Sequence, residues 1–153
     1  MLFALKIFVA VIFICLILGF LRTWRMAHSD EQTAFAGGTY PSPAPDGLYK
    51  GRIGRPVSWL GKKFNAASST GINVFNDEGA QAERYPFKTS KGMGIHDSKD
   101  VLRIDYNIAG NPFWVRPILD ELVQTSPGNY LGKLELRIIP GYPFTLGFFR
   151  LTK

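Results

Sequence analysis

Residues 130–138 read YLGKLELRI, and their order decides the fold. Successive side chains of an extended strand point to opposite faces. Leu131, Lys133, Glu135 and Arg137 therefore oppose Gly132, Leu134, Leu136 and Ile138. One set is mostly charged and the other apolar, the pattern of a sheet covered on one side. Residues 101–107, VLRIDYN, repeat it: Val101, Arg103, Asp105 and Asn107 give a polar-leaning face, and Leu102, Ile104 and Tyr106 an apolar one.

Outward from these two segments, the chain from Gly47 onward is a series of short runs rich in β-branched and aromatic residues, punctuated by Gly, Pro, Asn and Asp. Candidate strands are 47–53, 57–64, 71–75, 83–88, 92–97, 101–107, 119–125, 130–139 and 144–151, one run more than expected. Asn76-Asp77-Glu78-Gly79, Ser98-Lys99-Asp100 and Ser126-Pro127-Gly128-Asn129 place turn formers between runs, so neighbours are expected to form hairpins. Gly71, Gly92 and Gly94 suit bends or close backbone approach. In the closing run 142–151, Phe144, Leu146 and Phe148 are expected inside and Phe149 outside. Residues 47–153 can close such a sheet into an antiparallel up-and-down barrel of roughly eight strands, with an interior that is filled or holds one small ligand. The expected class is all-β, and no repeat at solenoid spacing is present.

The N-terminus is different in kind. Residues 1–21, MLFALKIFVAVIFICLILGFL, are interrupted only by Lys6, and about 20 apolar residues suffice to cross the hydrocarbon core. Lys6 can carry its ammonium to the headgroups, and Trp24 suits the opposite interface. A cleaved signal peptide is the competing reading. It fits less well, because the small-residue stretch Ala34-Phe35-Ala36 lies far beyond Leu21 and the nearer LRTWRM is bulky and charged. Cys15 follows Phe13-Ile14, unlike a lipoprotein acylation site, and reads as a thiol packed in lipid. Lys6 and the amino terminus compete with Arg22 and Arg25 in setting orientation. A short N-terminus inside and a domain without cysteines favour placing residues 47–153 on the exoplasmic, periplasmic or extracellular, side. Residues 22–46 form the connection. Its Pro41, Pro43 and Pro45 predict an extended polyproline II spacer rather than a peptide ligand.

Composition narrows the function. The 153 residues carry 18 Lys and Arg against 12 Asp and Glu, a formal charge of +6. One Cys cannot build a disulfide framework and two His cannot by themselves make a structural zinc site. No G-x-S-x-G, P-loop, dinucleotide fingerprint or H-E-x-x-H occurs. Neither 51–55 (GRIGR) nor 91–94 (KGMG) is placed to cradle phosphate. No metal, cofactor or catalytic residue is assigned.

Gly47-Leu48-Tyr49-Lys50-Gly51 followed by Ser58-Trp59-Leu60-Gly61-Lys62-Lys63-Phe64 resembles the opening of small calycin-like, or lipocalin-like, barrels with a G-x-W-x-G motif; the motif's first Gly is replaced here. Ile104-Asp105-Tyr106, 117–121 (PILDE), Tyr130-Leu131-Gly132-Lys133 and 143–151 are similar to the later part of the same functionally uncharacterised families. The resemblance spans most of 47–153. It implies a pocket for an apolar ligand and no catalytic residue.

Trp59, beside Gly61, is expected to plug a narrow barrel end, or else to stack on a ligand. Asp105, Tyr106, Asn107, Arg116, Asp120 and Glu121 form the densest polar set within core-like runs. A carboxylate facing into a barrel must be paired, so Arg116 is expected to pair with Asp105 or Asp120, or to grip a ligand carboxylate or phosphate. The candidate ligand-binding residues are thus Trp59, Asp105, Tyr106, Arg116 and Asp120. His96, Asp97 and Asp100 could share a proton or a cation, but their place at a turn reads as a solvated loop.

Lys50, Arg52, Arg55, Lys62, Lys63, Arg84, Lys88, Lys91 and Lys99 concentrate positive charge in the first half of the domain. Anionic membrane lipid is the partner this suggests; nucleic acid is not, since no recognition motif accompanies the charge. Three functions follow in order: a membrane-anchored barrel binding or carrying a small hydrophobic or lipid-like ligand; a non-catalytic assembly subunit with a membrane-protein partner; and an enzyme using Asp105, Asp120 or His96.

Overall fold

The computed structural model describes residues Leu2–Lys153. Two helices, α1 (Leu2–Ala27) and α2 (Asp30–Gly37), precede eight strands: β1 (Gly47–Arg52), β2 (Trp59–Asn65), β3 (Thr70–Asp77), β4 (Ala80–Met93), β5 (Asp100–Asp105), β6 (Ile118–Ser126), β7 (Asn129–Ile139) and β8 (Tyr142–Thr152). Each strand pairs antiparallel with its sequence neighbour, and β8 returns to β1 through Lys50 opposite Thr152, Gly51 opposite Leu151 and Arg52 opposite Arg150. The result is the closed eight-stranded up-and-down barrel that the alternation predicts, preceded by one long apolar helix. That helix is long and apolar enough to cross a bilayer, a property a signal sequence shares.

The expected runs 83–88 and 92–97 are largely one strand. The first half of β4 pairs with β3 and the second with β5, with Lys88 opposite both Thr70 and Asp105. Tyr85 makes the bend: it is the extra residue between the Asn73–Arg84 and Ile72–Pro86 pairs, and its φ is 58°. A positive φ on an aromatic residue is the mark of a bulge, which lets the strand curl around the barrel.

Closure sorts side chains into an inside and an outside. At the end of the barrel carrying the β2–β3, β4–β5 and β6–β7 connections, Tyr49, Phe64, Phe87, Leu102, Tyr130 and Leu151 fill the interior. Edge-to-face ring pairs link Tyr49 to Phe64 at 5.7 Å and to Tyr130 at 5.3 Å, and Phe64 to Phe87 at 5.3 Å. Such pairs each contribute about 0.5–1.5 kcal/mol beyond area burial. This half is a solid plug.

The closing strand runs in the opposite phase to expectation. Phe149 faces inward and is buried, whereas Phe148 packs outside with the Phe35 cluster and Phe144 packs against Phe20 of α1. The strand is also bulged at Leu146, which is skipped between the Leu134–Gly147 and Glu135–Thr145 pairs. The bulge frees backbone groups that α1 satisfies: the Thr145 amide donates to Thr23 Oγ1 at 3.0 Å, and Arg22 Nε donates to the Leu146 carbonyl at 2.6 Å. Phe20 packs on Tyr142 and Phe144 at ring separations of 4.9 and 5.2 Å.

Residues 22–46 are not the extended spacer that their prolines suggest. Residues 22–27 complete α1, and α2 lies on the outer face of the barrel with Phe35 fully buried among Val101, Val123, Leu131 and Phe148. Ser29 caps α2, its hydroxyl accepting from the Gln32 amide, and Asp30 and Glu31 occupy the first turn where negative charge suits the helix dipole. At the other end the Lys99 ammonium donates hydrogen bonds to the carbonyls of Phe35, Ala36 and Gly38. After α2, Thr39 and Gln124 exchange backbone hydrogen bonds of 2.9 and 2.7 Å, so the prolines also follow the barrel wall.

Candidate functional site

The interior between the plug and the opposite end is not filled. A cavity of about 240 Å³ lies there, toward the connections β1–β2, β3–β4, β5–β6 and β7–β8. Its upper walls are apolar: Ile53, Phe75, Tyr85, Trp114, Ile118 and Leu134. Its floor is polar and rests on the aromatic plug.

Lys62 is at the centre of that floor. A bulge between Trp59 and Gly61 inserts Leu60, so Trp59 and Lys62 share the inner face although they are three positions apart. Gly61 makes this geometry possible: its φ is 144°, and a Cβ there would lie 2.0 Å from the Tyr49 carbonyl oxygen. Trp59 in turn lies over Gly51, where a Cβ would meet its ring at 2.4 Å.

Lys62 Nζ is 2.9 Å from Asp120 Oδ2 and donates to Asn73 Oδ1 at 3.0 Å and to the Tyr106 hydroxyl. Tyr106 donates to Asp120 Oδ2 at 3.1 Å and accepts from Asn73 Nδ2 at 3.0 Å; Trp59 Nε1 donates to Asn73 Oδ1 at 3.0 Å. Four rings, those of Trp59, Phe87, Tyr106 and Phe149, surround the ammonium at 5.0–5.5 Å. Burial pulls the Lys62 pKa below its ordinary value, opposed by the Asp120 carboxylate. Burial likewise pushes the Tyr106 hydroxyl well above its usual value, with the Asp120 charge adding to the shift. Tyr106 is therefore a neutral donor at physiological pH. Asp120 Oδ1, in contrast, is buried with no hydrogen-bond partner. A buried carboxylate oxygen left unpaired is costly, and this one belongs to a residue that lines the cavity.

Of the five candidate ligand-binding residues, the structure brings Trp59, Tyr106 and Asp120 together around the cavity and places Asp105 and Arg116 elsewhere. Asp105 lies half-exposed on the outer face and pairs with Arg137 at 2.7 Å. Arg116 donates to the carbonyls of Asn111 and Ala109, bracing the β5–β6 connection. The pairing expected of Arg116 is thus made by Lys62 for Asp120 and by Arg137 for Asp105. Lys62 and Asn73 complete the floor and were not expected. The Leu60 bulge hides Lys62 from strict alternation; Asn73 shares the regular inner face of β3 with Phe75, but its residue type does not mark it as interior.

A second buried charge cluster lies outside the barrel beneath α2. Lys133 contacts Asp97, lies 3.4 Å from Glu121 and 3.9 Å from Glu135, and sits 4.5 Å from the Phe35 ring. His96 Nε2 is 3.7 Å from Glu135, and Gln32 of α2 donates to Asp97. Asp97 is thus held within this cluster, while His96 stays exposed at its edge and Asp100 pairs separately with Lys91 at 2.7 Å. The nearby Glu135 carboxylate raises the His96 pKa against the opposing effect of burial, and burial raises that of Glu121. Among the described residues no group of three His, Cys, Asp or Glu side chains is arranged to hold a metal ion.

The basic residues do not share one face. Lys62 is inside, Lys63, Arg84 and Lys91 pair with Glu83, Asp77 and Asp100, and Lys99 caps α2.

No protein-family model matches the chain, and no curated protein matches it. Among solved structures, a protein from Thermomonospora curvata is similar in fold, with a TM-score of 0.54 at 16% sequence identity over 76% of this chain and 79% of its own. At that identity the likeness concerns the barrel alone.

Proposed function

We propose that this protein is a membrane-anchored barrel that binds a small hydrophobic or lipid-like ligand beside the bilayer, with the lipocalin-like use of a barrel interior that the Trp59 and Gly61 region suggests. The observation that carries this is an apolar cavity whose lining includes Asp120, a residue with one buried oxygen left unpartnered. Its floor is already neutral as a whole, since Lys62 and Asp120 compensate each other, so it suits an uncharged polar group. The preferred ligand is an apolar molecule with one hydrogen-bond donor, such as a hydroxyl, which would reach Asp120. The volume is slightly below the usual range for ligand pockets, about 300–1,000 Å³, which fits a compact molecule or one end of a longer one.

Retention of α1 as the anchor is supported by its last turns. Cleavage near Leu21 would remove Phe20 from Tyr142 and Phe144, and loss of Thr23 would leave the Thr145 amide without its acceptor. The absence of cysteine from residues 28–153 favours an exoplasmic barrel.

Native mass spectrometry of the full chain, extracted with its own lipids, tests the ligand. A reproducible adduct on the wild type, lost in Leu134→Trp with the fold retained, is expected. An empty wild type carrying a stoichiometric membrane-protein partner would overturn the reading in favour of an assembly subunit.

A further inference from the structure

The end of the barrel at which the cavity lies is also its apolar end. Exposed there are Ile53 and Val57 from the β1–β2 connection, Phe113 and Trp114 from β5–β6, and Ile138 and Tyr142 beside β7–β8. Phe113 is 82% and Ile138 54% exposed. Scattered apolar residues on a surface need no explanation, whereas several converging on one rim do.

The course of α1 says what covers them. From Gly19 to Thr23 the helix runs alongside β8 in the same direction, with Gly19 and Phe20 at Phe144 and Thr23 at Thr145. Leu2–Leu18 therefore project beyond the β7–β8 turn, out of the same end as the rim. From Leu2 to Phe20 an α-helix rises about 27 Å, close to the ~30 Å of a bilayer's hydrocarbon core. The boundary between acyl chains and headgroups then falls at Phe20, whose ring touches Tyr142 of the rim. The polar β3–β4 turn, Asn76-Asp77-Glu78-Gly79, lies opposite the β7–β8 turn around the eight-strand ring. A barrel leaning toward its helix would lift that turn into water. Arg52 and Arg55, exposed beside Ile53 and without an acidic partner among the described residues, are placed to meet lipid phosphates.

We propose that this rim seats in the membrane that α1 spans, with Ile53, Val57, Phe113, Trp114, Ile138 and Tyr142 at the headgroup–acyl boundary. The cavity then opens to the leaflet instead of to water. The seat rests on the anchor reading of α1, and ligand exchange through the leaflet rests on the binding reading.

Nitroxide labels on the full chain in vesicles of phosphatidylcholine with a minor share of phosphatidylglycerol test the seat. With Cys15→Ser as background, labels are attached at Phe113→Cys, Ile138→Cys, Glu78→Cys and Ser126→Cys; Cys15 itself is labelled in the wild type. Labels at Phe113→Cys and Ile138→Cys should show a several-fold higher ratio of oxygen to nickel-chelate accessibility than those at Glu78→Cys and Ser126→Cys, with Cys15 in lipid. Rim labels as aqueous as Ser126→Cys, with Cys15 in lipid, would overturn the seat and leave the anchor standing. An aqueous Cys15 would overturn both, and none of these outcomes bears on whether the cavity binds a ligand.

Discussion

Lys62 shows how one backbone irregularity converts a surface-type residue into an interior one. By alternation from Trp59 it belongs outside; the Leu60 bulge turns it in, where Asp120, Asn73 and Tyr106 compensate its charge. Tyr106 and Asp120 were legible because alternation is unbroken up to them; Lys62 was not, because no residue type announces a bulge reliably, and Asn73 was not, because an uncharged amide within a regular strand gives no sign of burial. The ion pair itself is a poor source of stability, since removing two charges from water roughly cancels their attraction. Breaking it is another matter. Asp120→Ala leaves a buried ammonium uncompensated and should cost about 3–5 kcal/mol, whereas the double variant Lys62→Met/Asp120→Leu should be near neutral or gain up to about 4 kcal/mol. Urea unfolding of the three chains checks this; a double variant as unstable as the single one would show that the polar floor holds the barrel together.

Among the elements, α2 carries the largest departure from what its composition suggests. Prolines dominate the impression of residues 22–46, yet Ser29-Asp30-Glu31 is a helix start of the usual kind and Phe35 is its apolar anchor. The sequence also displays Lys133 and Glu135 as an exposed charged face. They are buried because α2 and the 94–99 segment lie over them, and pairing with a cover from another part of the chain leaves no local periodic signal. The cluster makes docking of α2 depend on pH. The folded pKa of His96 lies above its ordinary 6.5 and that of Glu121 above 4.5. Each group therefore contributes stability that is complete below the ordinary value and lost as pH rises through the folded one. The groups facing His96 are Glu135 and Lys133 of β7 and Glu121 of β6, with Asp97 beside it. Hydrogen-exchange protection factors of α2 amides should fall as pH rises above the ordinary histidine value of 6.5, with His96→Gln weakening the dependence. Protection that is flat, or that rises with pH, would contradict the assignment.

The whole molecule follows from closure. The one-sided alternation of 101–107 and 130–138 was enough to infer an antiparallel barrel, because antiparallel strands with one apolar face must bury it and closing the sheet does so without open edges. How full the barrel would be was not legible, since 12 Phe residues can line either a plug or a pocket, and the structure has both: rings at one end, a cavity at the other. Asp120, which lines the cavity and keeps one oxygen unpartnered, is the centre of the functional reading. The most direct measurement is a crystal structure of the full chain purified with its own membrane lipids. Density for a bound molecule along Phe75, Trp114 and Leu134, with a donor within hydrogen-bond distance of Asp120 Oδ1, is the expected result. An interior closed by repacked side chains, or holding only water on Lys62 and Asp120, would contradict it.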